Sequence, residues 1–378
     1  MAHPKVMIIG SDSASDLYGS ELAKRLIQKA EDISLFGVGG GLMQGSGVEL
    51  LYDISGLNSI GACDSTKGNH IIKRLVKRLI ETMDMEQPDL VIQIGLPVFN
   101  LRITEFAKSK GIPVFYYNTP INWCCNEVKI NRLAKTVDQV IGVSRYEVNV
   151  CNENQITADF IGHPLVDIAQ TNKSREELLD EYQLDGSRPT VVFLPGTRQI
   201  DVKVLFPTML KTIKKIQNEL PAVQIIVGIA PNTISQQWID TLIEQFEVER
   251  FTITADTHGI LHVCDLAVVN SGFESIEASL ANVPTIAVQK FTNSNLFGQR
   301  INRTEYFSMI NFLMQDEVVL ELVDNDFSEA KIFEAVGFLL ENKQERANIL
   351  AGYSGLTEEL GSPGTIDKAA ELIFAKLD

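Results

Sequence analysis

Short apolar runs alternate with longer stretches of helical period along most of the chain. KVMIIG is followed by SELAKRLIQKA, DLVIQIG by ITEFAKSKG and IPVFYY by NEVKINRLAK, and DQVIGVS closes this first series. Runs this short, rich in β-branched residues and without polar alternation, predict strands buried on both faces, as in parallel sheets covered by helices. The pattern restarts after the polar stretch QTNKSREELLDEYQLDGSRP with PTVVFLPG, FPTMLKTIKKIQNELP, VQIIVGIA, QQWIDTLIEQF, FTITA, CDLAVVNSG, IEASLANVP and TIAVQ. The chain is therefore expected to be α/β, with two doubly wound, Rossmann-like domains, residues 1–165 and 185–350. Ligands of such domains bind at the carboxyl ends of the strands, here in a central cleft that the two domains face. DKAAELIFAKLD predicts a closing helix, and residues 364–378 are expected to pack back on the first domain.

Composition narrows the function classes. The 378 residues, 45% of them hydrophobic, are enough for large cores and exclude a small stapled scaffold. A formal net charge of −16 argues against a nucleic-acid partner and against broad adhesion to acidic lipid, although Lys73, Arg74, Lys77 and Arg78 form a local basic cluster. Cys63, Cys124, Cys125, Cys151 and Cys264 are odd in number and lack metal-ligand spacing, which fits a reducing, cytoplasmic setting. No secretory signal or spanning apolar run is visible, so any membrane contact is expected to be peripheral.

Candidate chemistry lies at the strand ends. In FLPGTRQIDV, Gly196 lets backbone approach a ligand, and Thr197 and Arg198 follow with an amide and a planar fork suited to phosphate. The alternative is a tight turn with an exposed Arg. In VVNSGFESIEASL, Ser271 and Gly272 end a strand before a helix whose first amides are free, and Ser275 and Glu277 lie in its first turns. Glu277 is placed to accept from a ribose diol; alternatively Ser271 is a helix cap and Glu277 an acid that complements the helix dipole. Together with Arg198 these residues suggest a nucleotide-sugar site. At the joint between the domains, FIGHPLVD carries His163, either a ligand contact or a structural hydrogen-bonder. In the first domain, IIGSDSASDLYGSELAKRL presents Asp12 and Asp16 between strand and helix, as substrate contacts or as caps. FGVGGGLMQGSG is expected to form a glycine-rich loop, Gly37 to Gly47, without the ending of a P-loop.

Taken together, these stretches resemble the lipid-A-disaccharide synthase family, inverting glycosyltransferases of the GT-B type. SDSASD corresponds to a GETSGD-like opening, FGVGGGLMQGSG to a glycine/methionine loop, FIGHPLVD to the hinge, LPGTR to LPGSR and NSGFESIE to SGTAxLE, with Asn311 in a PN-type segment. The resemblance implies transfer of a diacylglucosamine from a UDP donor to diacylglucosamine 1-phosphate, with release of UDP, in lipid A biosynthesis. It also implies that Gly196, Thr197 and Arg198 face the donor diphosphate and that Ser271, Gly272, Ser275 and Glu277 hold the UDP portion, with Asn311 and His163 as further contacts. No metal or other cofactor is implied. The expected partners are a UDP-sugar donor and a lipid or sugar acceptor, at the cytoplasmic face of the inner membrane, with monomer and oligomer both open.

The departures fall on the acceptor side. The family reads IDxPDFN where this chain reads IGLPVFN, so Gly95 and Val98 replace two aspartates, the first of which is the base that the resemblance implies. Asp12 or Asp16, on the neighbouring strand end, is expected to take that role. PSVWAWR of the family appears as PINWCCN, keeping Trp123 but placing Cys125 and Asn126 where Trp and Arg stood. The family's apolar docking segment corresponds to the polar GLNSIGACDSTKGN. Two alternatives follow: a related transferase with a different, soluble acceptor, and a nucleotide-binding homologue without catalysis.

Overall fold

The computed structural model describes residues 3–54, 66–95, 100–119, 127–230, 233–291 and 306–377. Most of the polar segment 56–69 lies outside these residues, as do Val98, Trp123, Cys125 and Asn126. The chain divides into two compact units, Met1–Asp167 with Glu358–Asp378, and Ile168–Thr357.

The first unit is built on a parallel sheet of seven strands: β1 (Lys5–Gly10), β2 (Ser34–Gly39), β3 (Glu49–Asp53), β4 (Leu90–Ile94), β5 (Val114–Tyr117), β6 (Gln139–Gly142) and β7 (Ala158–Phe160), in the order β3-β2-β1-β4-β5-β6-β7. The central strands are sealed on both faces: Val6, Met7, Ile8, Ile9, Val91 and Ile92 are fully buried. Continuous apolar runs allow this, because neither face has to meet water. On one face Met7, Ile9 and Val91 join Leu75, Leu79 and Met83 of α3 (Thr66–Glu86) in a single apolar cluster. The helices α1 (Ser13–Lys29) and α2 (Gly41–Gly45) precede α3, and α4 (Asn100–Ser109), α5 (Glu127–Thr136) and α6 (Arg145–Glu153) follow it. Arg25 and Lys29 of α1 pair with Asp367 and Glu371 of the C-terminal helix, Thr365–Leu377, at 3.1 and 3.4 Å. Thr365 Oγ1 and the Gly364 amide also donate to Asp167, at 2.9 and 2.7 Å.

The glycine run is not a plain loop. Gly37 and Gly39 lie inside β2, and Gly41–Gly45 forms α2. A Cβ on Gly37, which has φ +150°, would stand 1.9 Å from the Ile8 carbonyl oxygen, so the glycine lets β2 pass β1 at the irregularity in its pairing with β3. The turn into α2 is held by one carboxylate. Asp16 Oδ1 accepts from the amides of Gly40 (2.7 Å) and Met43 (3.0 Å), and Oδ2 accepts from that of Leu42 (3.2 Å).

The second unit carries a parallel sheet of six strands: β8 (Thr190–Leu194), β9 (Gln224–Gly228), β10 (Thr252–Thr254), β11 (Leu266–Asn270), β12 (Thr285–Gln289) and β13 (Leu320–Val323), in the order β10-β9-β8-β11-β12-β13. Every residue of β8 and β11 is buried. The short helices Leu165–Ile168 (α7) and Arg175–Glu181 (α8) lead in. Then come α9 (Gln199–Glu219), α10 (Gln236–Phe246), α11 (Phe273–Leu280), α12 (Met309–Met314), α13 (Glu329–Glu341) and α14 (Lys343–Gly352). Helix α9 starts well before the FPTM segment where its period is plainest, and it runs through Pro207. Among the described residues no helix is long and apolar enough to cross a membrane.

The Asp16 clamp yields a stability prediction. Asp16→Ala leaves three amide donors without their acceptor, and stability is expected to fall by about 3 kcal/mol, at the common cost of one kcal/mol or more per stranded buried group. Urea unfolding measures it, and a loss below about 1 kcal/mol would show that water replaces the carboxylate.

Candidate functional site

Both sheets reverse their strand order beside their first strand, and the loops leaving the two neighbours at that point diverge. In the second unit the reversal lies between β8 and β11, which pair in parallel with Leu266 opposite Val191. The loop after β8 carries Gly196, Thr197 and Arg198; the loop after β11 carries Ser271 and Gly272. They meet at Gly196, where φ is +119° and a Cβ would stand 2.8 Å from both Asn270 Nδ2 and Asp201 Cβ. Only glycine allows so close an approach.

Arg198 is the cap residue of α9, and its Nε and Nη2 donate to the two oxygens of Asp201 at 2.6 and 3.0 Å. The Asp201 side chain is 3% exposed and that of Arg198 is 57% exposed, so a buried acid steers an accessible guanidinium. Thr197 is half-buried, and its carbonyl accepts from Thr233 Oγ1.

Helix α11 begins at Gly272, which provides no side-chain cap. Ser271 is thus not the cap; its Oγ donates to Gln289 Oε1. Ser275 is fully buried and donates to the Gly272 carbonyl at 2.7 Å, an internal bond that braces the first turn. Glu277 is buried, with Oε1 3.4 Å from His258 Nε2. Burial opposes a charge on His258, but the neighbouring carboxyls of Glu277 and Asp256 outweigh it and raise the imidazole above its ordinary range. Asp256 in turn accepts from Tyr182 Oη at 2.6 Å and from the Gly259 amide at 2.8 Å.

Two of the expected contacts are held by bonds within the first and second units. Asn311 is fully buried; its amide donates to the Val319 carbonyl and Glu321, and its oxygen accepts from the Val318 and Val319 amides, which uses its whole bonding capacity within the protein. His163 is 2% exposed and packs edge-on against Tyr18, with Nδ1 accepting from the Leu165 amide. Burial lowers its pKa to about 3, so the ring is neutral and braces the chain where it leaves β7.

In the first unit the reversal lies between β1 and β4, where Gly10 pairs with Ile94. Asp12 follows β1 and Gly95 follows β4. Asp12 caps α1: its Oδ1 accepts from the Ser15 amide at 2.8 Å and from Ser15 Oγ at 2.7 Å. Gly95 has φ +65°, a region that Asp and Asn also tolerate, and its carbonyl accepts from Tyr116 Oη at 2.8 Å. A Cβ built on Gly95 would meet ordinary contacts, with Ser15 Cβ at 3.5 Å and Asp12 Oδ1 at 3.9 Å. A carboxylate on Gly95 and the one on Asp12 would therefore share one location. Asp16, by contrast, is spent on the α2 turn.

Sequence reasoning missed His258, Asp256 and Glu274. His258 sits in TADTHG, a lone histidine beyond a short strand, and no spacing singles it out. Glu274 lay within a motif already in view, as an acid where the resembled SGTAxLE has alanine.

Two parallel sheets of this order, each with its loops open at the reversal, define the GT-B class, and solved structures share it. The S. aureus MnaA-UDP co-structure matches with TM-score 0.69 over 99% of this chain and 97% of that chain, at 12% identity. Acinetobacter baumannii MurG matches with TM-score 0.61 over 98% and 99%, at 13% identity. At such identities the likeness concerns the fold. Sequence is more specific: the lipid-A-disaccharide synthetase family model matches residues 6–372, and the chain belongs to that family. The lipid-A-disaccharide synthase of Geobacter metallireducens is 28% identical over 376 residues, 99% of this chain and 97% of the relative. That of Syntrophus aciditrophicus is 29% identical over 367 residues, 97% and 96% of the two chains.

The His258–Glu277 pair is testable without substrate. Glu277→Gln removes the charge that helps to raise the imidazole but leaves its burial, so the His258 pKa is expected to fall. Histidine ring NMR titration reads this directly, and an unmoved midpoint would assign the shift to another group.

Proposed function

We propose that the chain is a lipid-A-disaccharide synthase, transferring a 2,3-diacylglucosamine from its UDP donor to diacylglucosamine 1-phosphate with release of UDP. The observation that carries this reading is the family match, which runs through both units and through the residues at each sheet's reversal. Its relatives are named for that synthase, and MnaA of the same fold is described in complex with UDP.

On this reading the second unit holds the donor. The exposed fork of Arg198, the amides after Gly196 and those opening α11 receive the diphosphate, and Glu277, fixed by His258, accepts from the ribose hydroxyls. The acceptor hydroxyl oxygen attacks the anomeric carbon as the bond to UDP breaks. The electron pair leaves with UDP, where Arg198 and the amides meet the growing charge, and the hydroxyl proton passes to a carboxylate in the first unit. Asp12 is that carboxylate. Support comes from its place at the β1/β4 reversal, 3.9 Å from where a Gly95 side chain would begin. The exposed basic residues of α3, Lys73, Arg74, Lys77 and Arg78, favour peripheral contact with an anionic membrane face.

A second reading keeps the donor chemistry but assigns a soluble acceptor. Gly95 in place of the family's aspartate favours it. Turnover of the acylated acceptor compared with a panel of soluble sugars separates the two.

Arg198→Ala is expected to weaken UDP binding about 10- to 100-fold, the worth of a charge-assisted bond. Calorimetry measures it, and unchanged affinity removes Arg198 from the donor site. Asp12→Asn keeps the capping oxygen and is expected to lower kcat about 100-fold or more while UDP affinity holds. Adding Gly95→Asp to that variant is expected to restore part of the rate. Full activity in Asp12→Asn alone would rule Asp12 out as the base.

A further inference from the structure

Glu274 lies just inside the Gly272 cap of α11, an eight-residue helix. The residue is 4% exposed, and its Oε1 is buried without a hydrogen-bond partner. Its Oε2 folds back over the cap, 2.9 Å from where a Cβ on Gly272 would stand. Gly272 itself is half-buried, so the backbone beside the carboxyl reaches the surface. The carboxyl therefore occupies a helix end that has no side-chain cap, where amides and dipole favour an anion.

The groups around it set its form. Glu277 acts from the same helix, and Asp201 and Arg198 act from the start of α9; His258, in the turn after β10, pairs with Glu277. Burial and the charge of Glu277 raise the Glu274 carboxyl to about 8, against the pull of its own amide and of Arg198. At neutral pH it is a carboxylic acid, able to donate as well as accept. A carboxylate facing a diphosphate would repel it; a carboxylic acid offers it a hydrogen bond.

We propose that Glu274 belongs to the diphosphate site, and that its protonated carboxyl donates a hydrogen bond to a phosphate oxygen of the bound nucleoside diphosphate. The unpaired Oε1 gains its partner only when that ligand is present. This rests on the nucleotide-donor reading above and adds a residue that the resembled motif lacks. Loss of the proton opposes binding, so the ligand and one proton are held together.

UDP titration calorimetry at pH 7 and pH 9 tests the proposal on the full chain. With a carboxyl at about 8, wild-type affinity is expected to fall about tenfold between the two. The terminal phosphate of UDP contributes little, since such groups ionise nearer about pH 6. Glu274→Gln keeps a neutral donor at both pH values and is expected to bind equally well at each. Glu274→Ala is expected to be equally flat but weaker than wild type at pH 7. A Gln variant with the same tenfold fall as wild type, or a wild type that is flat, overturns the role of Glu274 and leaves the donor reading intact. Absence of UDP binding in all forms at both pH values overturns the donor reading, and this proposal with it. If Glu274→Gln does not fold, Glu274→Ala takes its place: a flat affinity between pH 7 and pH 9 supports the proposal, and the wild-type fall retained in it overturns the proposal. Titrations at pH 9 in two buffers of unlike ionisation heat should show uptake of close to one proton per UDP, and zero uptake overturns the proposal.

Discussion

Everything functional in this chain follows from the parallel sense of its strands. In each unit all strands run the same way, so every carboxyl end emerges along one edge, and each crossover returns across a helix-covered face. Since the order runs outward in both directions from the first strand, the loops after the first and fourth strands part at that edge. Asp12 and Gly95 mark the opening in one sheet; Gly196 and Gly272 mark it in the other. No side chain creates these openings. The apolar strands create them, and side chains then furnish them.

The strands were the most legible part of the sequence. KVMIIG, DLVIQIG, PTVVFLPG and CDLAVVNSG appear as the strands flanking the two reversals, because fully buried strands are almost wholly apolar and so stand out. β2 was missed for the opposite reason. Its glycines are there to let backbones pass, and composition alone makes such a strand look like a loop. The site residues divide in a similar way. Arg198 could be placed at the end of β8 because a glycine and a strand precede it. For Asn311 and His163 the sequence could not reveal the internal bonds, since a polar residue that satisfies buried backbone and one that meets a substrate have the same letters. His258 and Glu277 are paired by tertiary structure, and nothing within either local stretch announces the other.

The second unit's opening shows how an acidic protein prepares a place for an anion. Asp201, Asp256, Glu274 and Glu277 all lie near it, yet each charge is paired, bonded or suppressed. Asp201 is forked by Arg198, Asp256 is bonded to Tyr182, Glu277 is paired with His258, and Glu274 is kept neutral by burial. The acids position the cations and withdraw from view. The net charge of −16 therefore says little about the sign of the potential at this one spot.

The first unit is discontinuous: Met1–Asp167 is completed by Glu358–Asp378, and the second unit, Ile168–Thr357, is an unbroken stretch. During synthesis the segment that emerges first must wait for the last. Its helix α1 has no Asp367 or Glu371 to pair with, and Asp167 no Thr365, until the ribosome has passed the second unit. The unit made second can close earlier, the reverse of the usual N-terminal-first order. Completion of the unit that carries Asp12 thus waits on synthesis of the whole of the other unit.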